Sequence, residues 1–271
     1  MKLEWYGTAA LLIYDEEDGK NTVIAFDPFL GISRGDDHPE YLSHIHVGAL
    51  LLVSDVFVTH GHFDHIIQIP ALYAGGSVAI HATRTPCDTL RNHGVSEKQL
   101  DIISPGGYYS LGNISVHALQ GRHCVFDAAL VIRTALRYLQ PGNLKYGLRL
   151  LKCNRDYPEN GETLFYELEC RGRRLQIMGS MGLDDDTEYP TGADLLILPY
   201  QGKSNPVKYA ASLVERLRPK AVLLDHYDDS FPPMTARIRT SAFEKLMREK
   251  YDIPCRAMER GTTYDIEELT L

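Results

Sequence analysis

The chain has 271 residues, of which 44% are hydrophobic and 24% charged, and its formal net charge is -8. These values fit a globular protein long enough for one large α/β domain or two small ones, and they exclude low-complexity and fibrous classes. The acidic balance argues against nucleic acid as a partner, because affinity for a phosphate backbone depends on Lys and Arg that neutralise it.

In chain order, apolar runs at Leu3 to Tyr6, Ala9 to Tyr14 and Thr22 to Phe26 read as three strands joined by a tight turn and by a polar loop from Asp15 to Asn21. The opening residues, Met1-Lys2-Leu3-Glu4-Trp5-Tyr6-Gly7, have neither a basic n-region nor an apolar h-region. No signal peptide, transmembrane span or membrane partner is therefore expected, and the expected location is cytoplasmic. Next come a strand at Val53 to Val58, a helix from Ile66 to Tyr73, a strand at Val78 to His81, a helix near Pro86 to His93 and two strands within Gly107 to Leu119. The segment from Thr134 to Asn160, rich in Leu, Tyr, Arg and Lys, is expected to be a lid, an oligomer contact or a plain surface excursion. Thr163 to Cys170 and Arg174 to Met178 read as a hairpin whose turn holds the basic run Arg171-Gly172-Arg173-Arg174. Leu195 to Pro199 and Ala221 to Leu224 read as strands, and Pro206 to Arg218 and Ala242 to Lys250 as helices. Five cysteines, odd in number and without a Cys-x-x-Cys pair, predict reduced thiols rather than a disulfide framework.

The densest chemistry lies in Thr59-His60-Gly61-His62-Phe63-Asp64-His65, directly after an apolar strand. His60 and His62 are two apart and project to one side of extended backbone. Asp64 and His65 are adjacent and diverge, which suits two neighbouring ions better than one. Gly61 is expected to give the turn access to unusual dihedrals.

This run is the His-x-His-x-Asp-His signature of the metallo-β-lactamase fold superfamily, which the chain resembles along nearly its whole length. The resemblance implies an α/β (α+β) fold, a single αββα four-layer sandwich over residues 1–271, with metal ligands at strand ends along one edge. It also implies a third histidine after a later strand. His123 is the candidate and His117 its rival, although His117 sits inside an alternating run that suits a strand residue. A histidine ending a late strand matches His226, and Asp27, in Phe26-Asp27-Pro28, matches a carboxylate that supports the site from behind, against the alternative of a turn Asp. Where many relatives carry a bridging Asp, this chain has Ser180 in Gly179-Ser180-Met181. The ligand sets so implied are His60, His62 and His123 for one ion, and Asp64, His65 and His226 for the other. A second ion bound weakly, or a carboxylate of Asp184-Asp185-Asp186 folding back, are the other outcomes. The acidic residues around His226, Asp225, Asp228 and Asp229, read as a solvated loop.

Imidazole and carboxylate ligands without thiolate suit two divalent ions, Zn first and Mn or Fe as alternatives. Such ions bring the pKa of water from about 15.7 to near 7, creating a hydroxide nucleophile that Asp64 would orient. The implied activity is hydrolysis of an ester, lactone or phosphoester of a small molecule. The opening Gly7-Thr8-Ala9-Ala10, the Asp27-Pro28 pair and the late histidine are most similar to the L-ascorbate-6-phosphate lactonase-like metal-dependent hydrolases. The alternatives are a phosphodiesterase or nuclease of the same fold and a catalytically degenerate metal-binding protein. Lys203 and Ser204, in a loop that opens a helix, could hold a substrate phosphate, while a simple helix cap needs no ligand. A homo-oligomer is compatible with the sequence.

Overall fold

The computed structural model describes residues 1–17, 20–32, 47–232 and 234–267. Two seven-stranded sheets face each other. The first contains β1 (Lys2–Gly7), β2 (Ala10–Glu17), β3 (Lys20–Phe26), β4 (Asp55–Phe57), β5 (Ala79–Ala82) and β6 (Leu100–Ile102), with the late strand β14 (Thr263–Asp265) added beside β1. The second runs β13 (Cys255–Ala257), β12 (Val222–Asp225), β11 (Leu195–Pro199), β10 (Arg173–Met178), β9 (Leu164–Cys170), β8 (Ile114–Gln120) and β7 (Tyr108–Leu111). Each sheet is antiparallel in one half and parallel in the other: β3 to β6 and β10 to β13 run parallel. Parallel neighbours need crossovers, and helices supply them.

Alternation along the strands builds the middle of the sandwich. Leu3, Trp5, Leu11, Ile13, Ile24 and Phe26 from the first sheet join Val116, Ala118 and Leu168 from the second in one buried cluster. Tyr166 bridges the two layers. Its ring meets Phe26 and Phe57 edge-on, with centroids 5.2 and 5.6 Å away, and its hydroxyl donates to the Val58 carbonyl at 2.7 Å. The other face of the first sheet, with Leu12, Ala25, Val56 and Val58, packs on Phe63, Ile66, Ile69 and Leu90 of the helical layer. Outside the second sheet lies the helix Pro206–Leu217, which buries Ala210, Leu213, Val214 and Leu217 at helical spacing. The expected αββα arrangement is thus present.

Several local expectations change. The single helix at Ile66 to Tyr73 is two short ones, α2 (Phe63–Ile66) and α3 (Ile69–Tyr73), following α1 (Val47–Leu50). Pro70 explains the break: without an N–H it fits only the first turn of a helix, so it restarts one. The helix near Pro86 to His93 is α4 (Arg84–Asn92). The loop from Asp15 to Asn21 is largely strand, with Asp15 paired to Thr22 and Glu17 to Lys20; residues 18 and 19 lie outside the described ones. Polarity misled there because Asp15 is buried yet satisfied by Arg171 and Asn113. Arg171 and Gly172 both have positive φ, 50° and 74°, and form the expected two-residue hairpin turn. The segment 134 to 160 belongs to a helical hairpin that begins earlier, α5 (Ala128–Tyr138) and α6 (Leu144–Asp156). After α7, the helix Pro206–Leu217, the last helix α8 (Ser241–Leu246) loosens into a π turn over Met247–Tyr251.

Candidate metal centre

The carboxyl ends of strands from both sheets converge on one edge. Asp27 follows β3, the run Thr59 to His65 follows β4, His123 follows β8, Ser180 follows β10, Gln201 follows β11 and His226 follows β12. Two of these residues, Asp27 (φ 44°) and His226 (φ 50°), hold left-handed backbone that non-glycine residues rarely adopt. Such strain persists where surroundings enforce it. The Asp27 amide donates to the Phe57 carbonyl at 3.1 Å, and the His226 amide to the Thr8 carbonyl at 2.9 Å.

Six side chains gather in two sets. His60, His62 and His123 form one, and Asp64, His65 and His226 the other, with the coordinating atoms of each set within 4.8 Å of one another. His60 Nε2 and His62 Nδ1 face each other at 3.1 Å. His226 Nε2 lies 3.3 Å from Asp64 Oδ2. His117 is elsewhere: it sits in β8 opposite Tyr108 and Glu167, and the His123 ring is the one that packs on His60 and His62, with centroids 5.1 and 4.6 Å apart.

Gly61 is needed for space rather than for a positive φ. A Cβ there would stand 2.3 Å from the Pro158 carbonyl oxygen, so the segment after α6 can approach the histidine turn only over a glycine.

A layer of hydrogen bonds sets the imidazole tautomers. Asp27 Oδ2 accepts from His65 Nδ1–H at 2.8 Å and from the Thr59 hydroxyl at 2.5 Å, while Oδ1 accepts the Thr59 amide at 2.8 Å. His60 Nδ1–H in turn donates to the Thr59 oxygen at 3.1 Å. His123 Nδ1–H donates to the Cys124 carbonyl at 3.0 Å, and His226 Nδ1–H to Gln201 Oε1 at 2.8 Å. In the His60, His65 and His123 rings Nδ1 is the donor, which leaves Nε2 as the nitrogen for a ligand role, whereas His226 also donates from Nε2, to Asp64 Oδ2. Thr59 and Gln201 had no assigned role from the sequence. Thr59's place beside the first histidine was the available signal.

Charge at the site is uneven. Burial drives His60 well below its ordinary 6.5, helped by the neighbouring His65 and His62, and brings His62 down to about 4 against the pull of Asp64. Burial also lowers His123, with Glu159 opposing. These three imidazoles are neutral at pH 7, as ligands must be. For Asp64, burial alone would raise the pKa, but His65 and the His226 hydrogen bond outweigh it and hold the carboxylate far below its usual range. For His226, burial works downward and Asp64 upward, leaving a value of about 8. Glu159, which had no assigned role from the sequence, lies near enough to raise His62 and His123 electrostatically, while its carboxylate accepts from the Gly161 amide at 2.9 Å and the Thr163 hydroxyl at 2.5 Å.

Ser180 is no stand-in for a bridging carboxylate. Its buried hydroxyl accepts the Cys124 amide at 3.1 Å and so holds the turn that carries His123. The acidic run stays away from the centre: Asp184 accepts from Thr187, and Asp185 pairs with Arg122 at 2.6 Å. Nor is the loop around His226 merely solvated, since Asp225 is 1% exposed and Asp228 accepts the Thr8 amide. Lys203 and Ser204 border the cavity, but the protein engages both. Lys203 Nζ donates to the Val125 carbonyl, and the Ser204 amide donates to Asp127 Oδ2 at 2.7 Å. The cap of α7, Asn205, makes no side-chain hydrogen bond to the helix.

Above the two sets lies a cavity of about 580 Å³. Phe126, Leu130, Val131, Leu150, Phe231 and Met234 supply apolar walls, and the hairpin α5–α6 contributes much of one side. A partly buried nest of imidazoles, three of them neutral, and one carboxylate, lacking thiolates and opening into such a cavity, has the donor chemistry of a divalent-metal site.

The family model described as "Beta-lactamase superfamily domain" matches residues 22–227. The chain belongs to this superfamily. It is also similar to curated proteins named metal-dependent hydrolase. The one from Polaromonas sp. (strain JS666) is 27% identical over 231 residues, 82% of this chain and 76% of that protein. The one from Rhizobium leguminosarum bv. trifolii is 28% identical over 123 residues, 45% of this chain and about half of that protein's length, 48%. Among solved structures, the metallo hydrolase Igni18 from Ignicoccus hospitalis shares the superfamily fold with a TM-score of 0.61, 19% identity and coverage of 97% of this chain and 98% of that one.

Proposed function

We propose that this protein is a metal-dependent hydrolase with a two-ion centre, His60, His62 and His123 holding one divalent ion and Asp64, His65 and His226 the other. The observation that carries this reading is the pair of three-residue sets, each with converging ligand atoms. The names of the curated relatives support it. Zn is the first candidate for both ions, with Mn or Fe the alternatives that the same donors accept. Ions held there would supply Lewis acidity, polarising a carbonyl or phosphoryl oxygen and lowering the pKa of water from about 15.7 to near 7.

The protein's own part is positional. Asp27 fixes the His65 ring directly and the His60 ring through Thr59, and Gln201 fixes His226, so each presents Nε2 inward. Asp64, kept ionised, is the residue placed to orient a nucleophile between the sets. The apolar walls suit a substrate with an apolar portion. The substrate class proposed is an ester, lactone or phosphoester of a small molecule, the phosphorylated-lactone type included.

Elemental analysis of protein purified without chelators tests the reading, together with a screen of p-nitrophenyl esters, lactones and bis-p-nitrophenyl phosphate. Two ions per chain, falling to one in His226→Ala along with the activity, are expected. One ion in the parent and two in Ser180→Asp would overturn the two-ion centre and identify the missing carboxylate as the cause.

A further inference from the structure

Thirteen large hydrophobic side chains are conspicuously exposed among the described residues, and nine of them fall between Val125 and Leu151. They are not scattered over the hairpin. On α5 and its C-cap, Ala128, Ile132, Ala135, Leu136 and the capping Leu139 follow helical spacing along one stripe with no charge in it. Leu130, Thr134, Arg137 and Tyr138, on the opposite side of the same helix, line the cavity. On α6, Leu144, Leu148 and Leu151 form a second stripe, opposite the buried Tyr146 and Leu150. No residue of α5 is buried.

A helix of 11 residues is marginal by itself in water and takes its stability from an apolar face packed on something. Here the inward side of α5 is only partly covered and the outward side is bare, with Ile132 60%, Leu136 61% and Leu139 75% exposed. At about 150–200 Å² for a fully exposed large side chain, the six residues of the two stripes present roughly 650 Å², and Phe126 and Val131 at the cavity mouth extend that surface. Monomers rarely leave more than a few hundred Å² of contiguous apolar surface open, and each partner in a stable complex contributes about 800 Å².

We propose that a second copy of this chain covers the outward face of the α5–α6 hairpin, in a two-fold dimer that also closes the cavity mouth. A two-fold contact sets the same stripe of both copies against itself, so the uncharged α5 stripe meets an equally uncharged surface. The basic residues Lys145, Arg149 and Lys152 lie on the flank of α6 beside its leucines, at helical spacing from one another, where a rim keeps them solvated. Phe126, Val131 and Leu151 are both exposed and part of the cavity lining, so a copy seated on the hairpin reduces the opening to solvent. This inference does not depend on the ions or on the reaction.

Sedimentation equilibrium of the full chain tests it, at micromolar concentration, with Ile132→Asp/Leu136→Asp and the milder Leu136→Ser/Leu139→Ser as variants. Circular dichroism and metal content serve as checks on folding. A two-chain mass for the parent and a one-chain mass for either folded variant are expected. A one-chain mass for the parent overturns the proposal, as does a dimer unaffected by both variants. Monomers of the parent that bind vesicles of anionic phospholipid, with binding lost in the variants, would overturn it in favour of a lipid surface as the occupant.

Discussion

The carboxylate of Asp27 accepts Nδ1–H of His65 at 2.8 Å across 38 residues of sequence, and the same oxygen holds the Thr59 hydroxyl that receives His60 Nδ1–H. One buried carboxylate therefore orients an imidazole in each of the two sets. Replacing Asp27 with Asn removes an acceptor from this junction and introduces a donor opposite His65. Metal affinity, measured by competition with a chromogenic chelator, is expected to fall about 10- to 100-fold for the set containing His65. Unchanged affinity would show that the rings are positioned without Asp27.

Thr59→Val separates the two arms of that junction. The His65 bond survives, while His60 Nδ1–H and one Asp27 oxygen lose their shared hydroxyl. A buried polar group left without its partner costs about 1–3 kcal/mol. Chemical denaturation should register that loss, and the metal defect should fall on the set containing His60. An equal effect on both sets would refute the relay.

Gly61→Ala should damage the centre without touching a ligand. Its new methyl would stand 2.3 Å from the Pro158 carbonyl, so either the histidine turn or the segment after α6 must move. Overpacking of this kind costs about 1–3 kcal/mol. A lower Tm together with reduced metal content is expected; parent-like values of both would show that the close approach is not required.

Away from the centre, His81 titrates within a sheet-edge cluster. Burial pulls its pKa down, but Asp55 and Asp101, each accepting from one ring nitrogen at 2.8 Å, outweigh this and leave it above 6.5. The stabilisation is fully present below 6.5 and is lost as pH rises through the folded value. Asp55 acts in the opposite direction: burial raises it, yet the His81 bond leaves it below 3.8, so its contribution is present above 3.8 and is lost as pH falls through the depressed value. The contribution of this cluster, read as the difference in urea midpoint between the parent and His81→Gln, should therefore plateau between about pH 4 and 6.5 and decline above. The His81→Gln variant should lack the alkaline decline attributable to this cluster, and an identical pH profile would sink the assignment.

Tyr166→Phe isolates one contact between the sheets. It keeps the packing against Phe26 and Phe57 and deletes the bond to the Val58 carbonyl, next to the histidine run. A loss of about 0.5–1.5 kcal/mol is expected by denaturant titration. No loss would mean that this carbonyl finds another donor.

The sequence alone determined the elements with a strong period and the density of ligands. Residues of the His60 to His65 run lie so close along the chain that no fold could scatter them, and strands such as Leu195–Pro199 are apolar runs with no competing reading. Long-range relationships were decided only by the tertiary structure. His123 rather than His117 meets the first set because β8 ends before the turn that Ser180 holds, and Asp15 stays in a strand because Arg171 and Asn113 satisfy it from distant segments. Short edge strands such as β6, β13 and β14, three residues each, show too little alternation to be read and exist because a neighbouring strand offers them hydrogen bonds. The hairpin at 128–156 differs again. Its apolar stripes are plain in the chain, but whether they face a core or solvent depends on where the two sheets place it, since periodicity fixes a face and only packing chooses what that face meets.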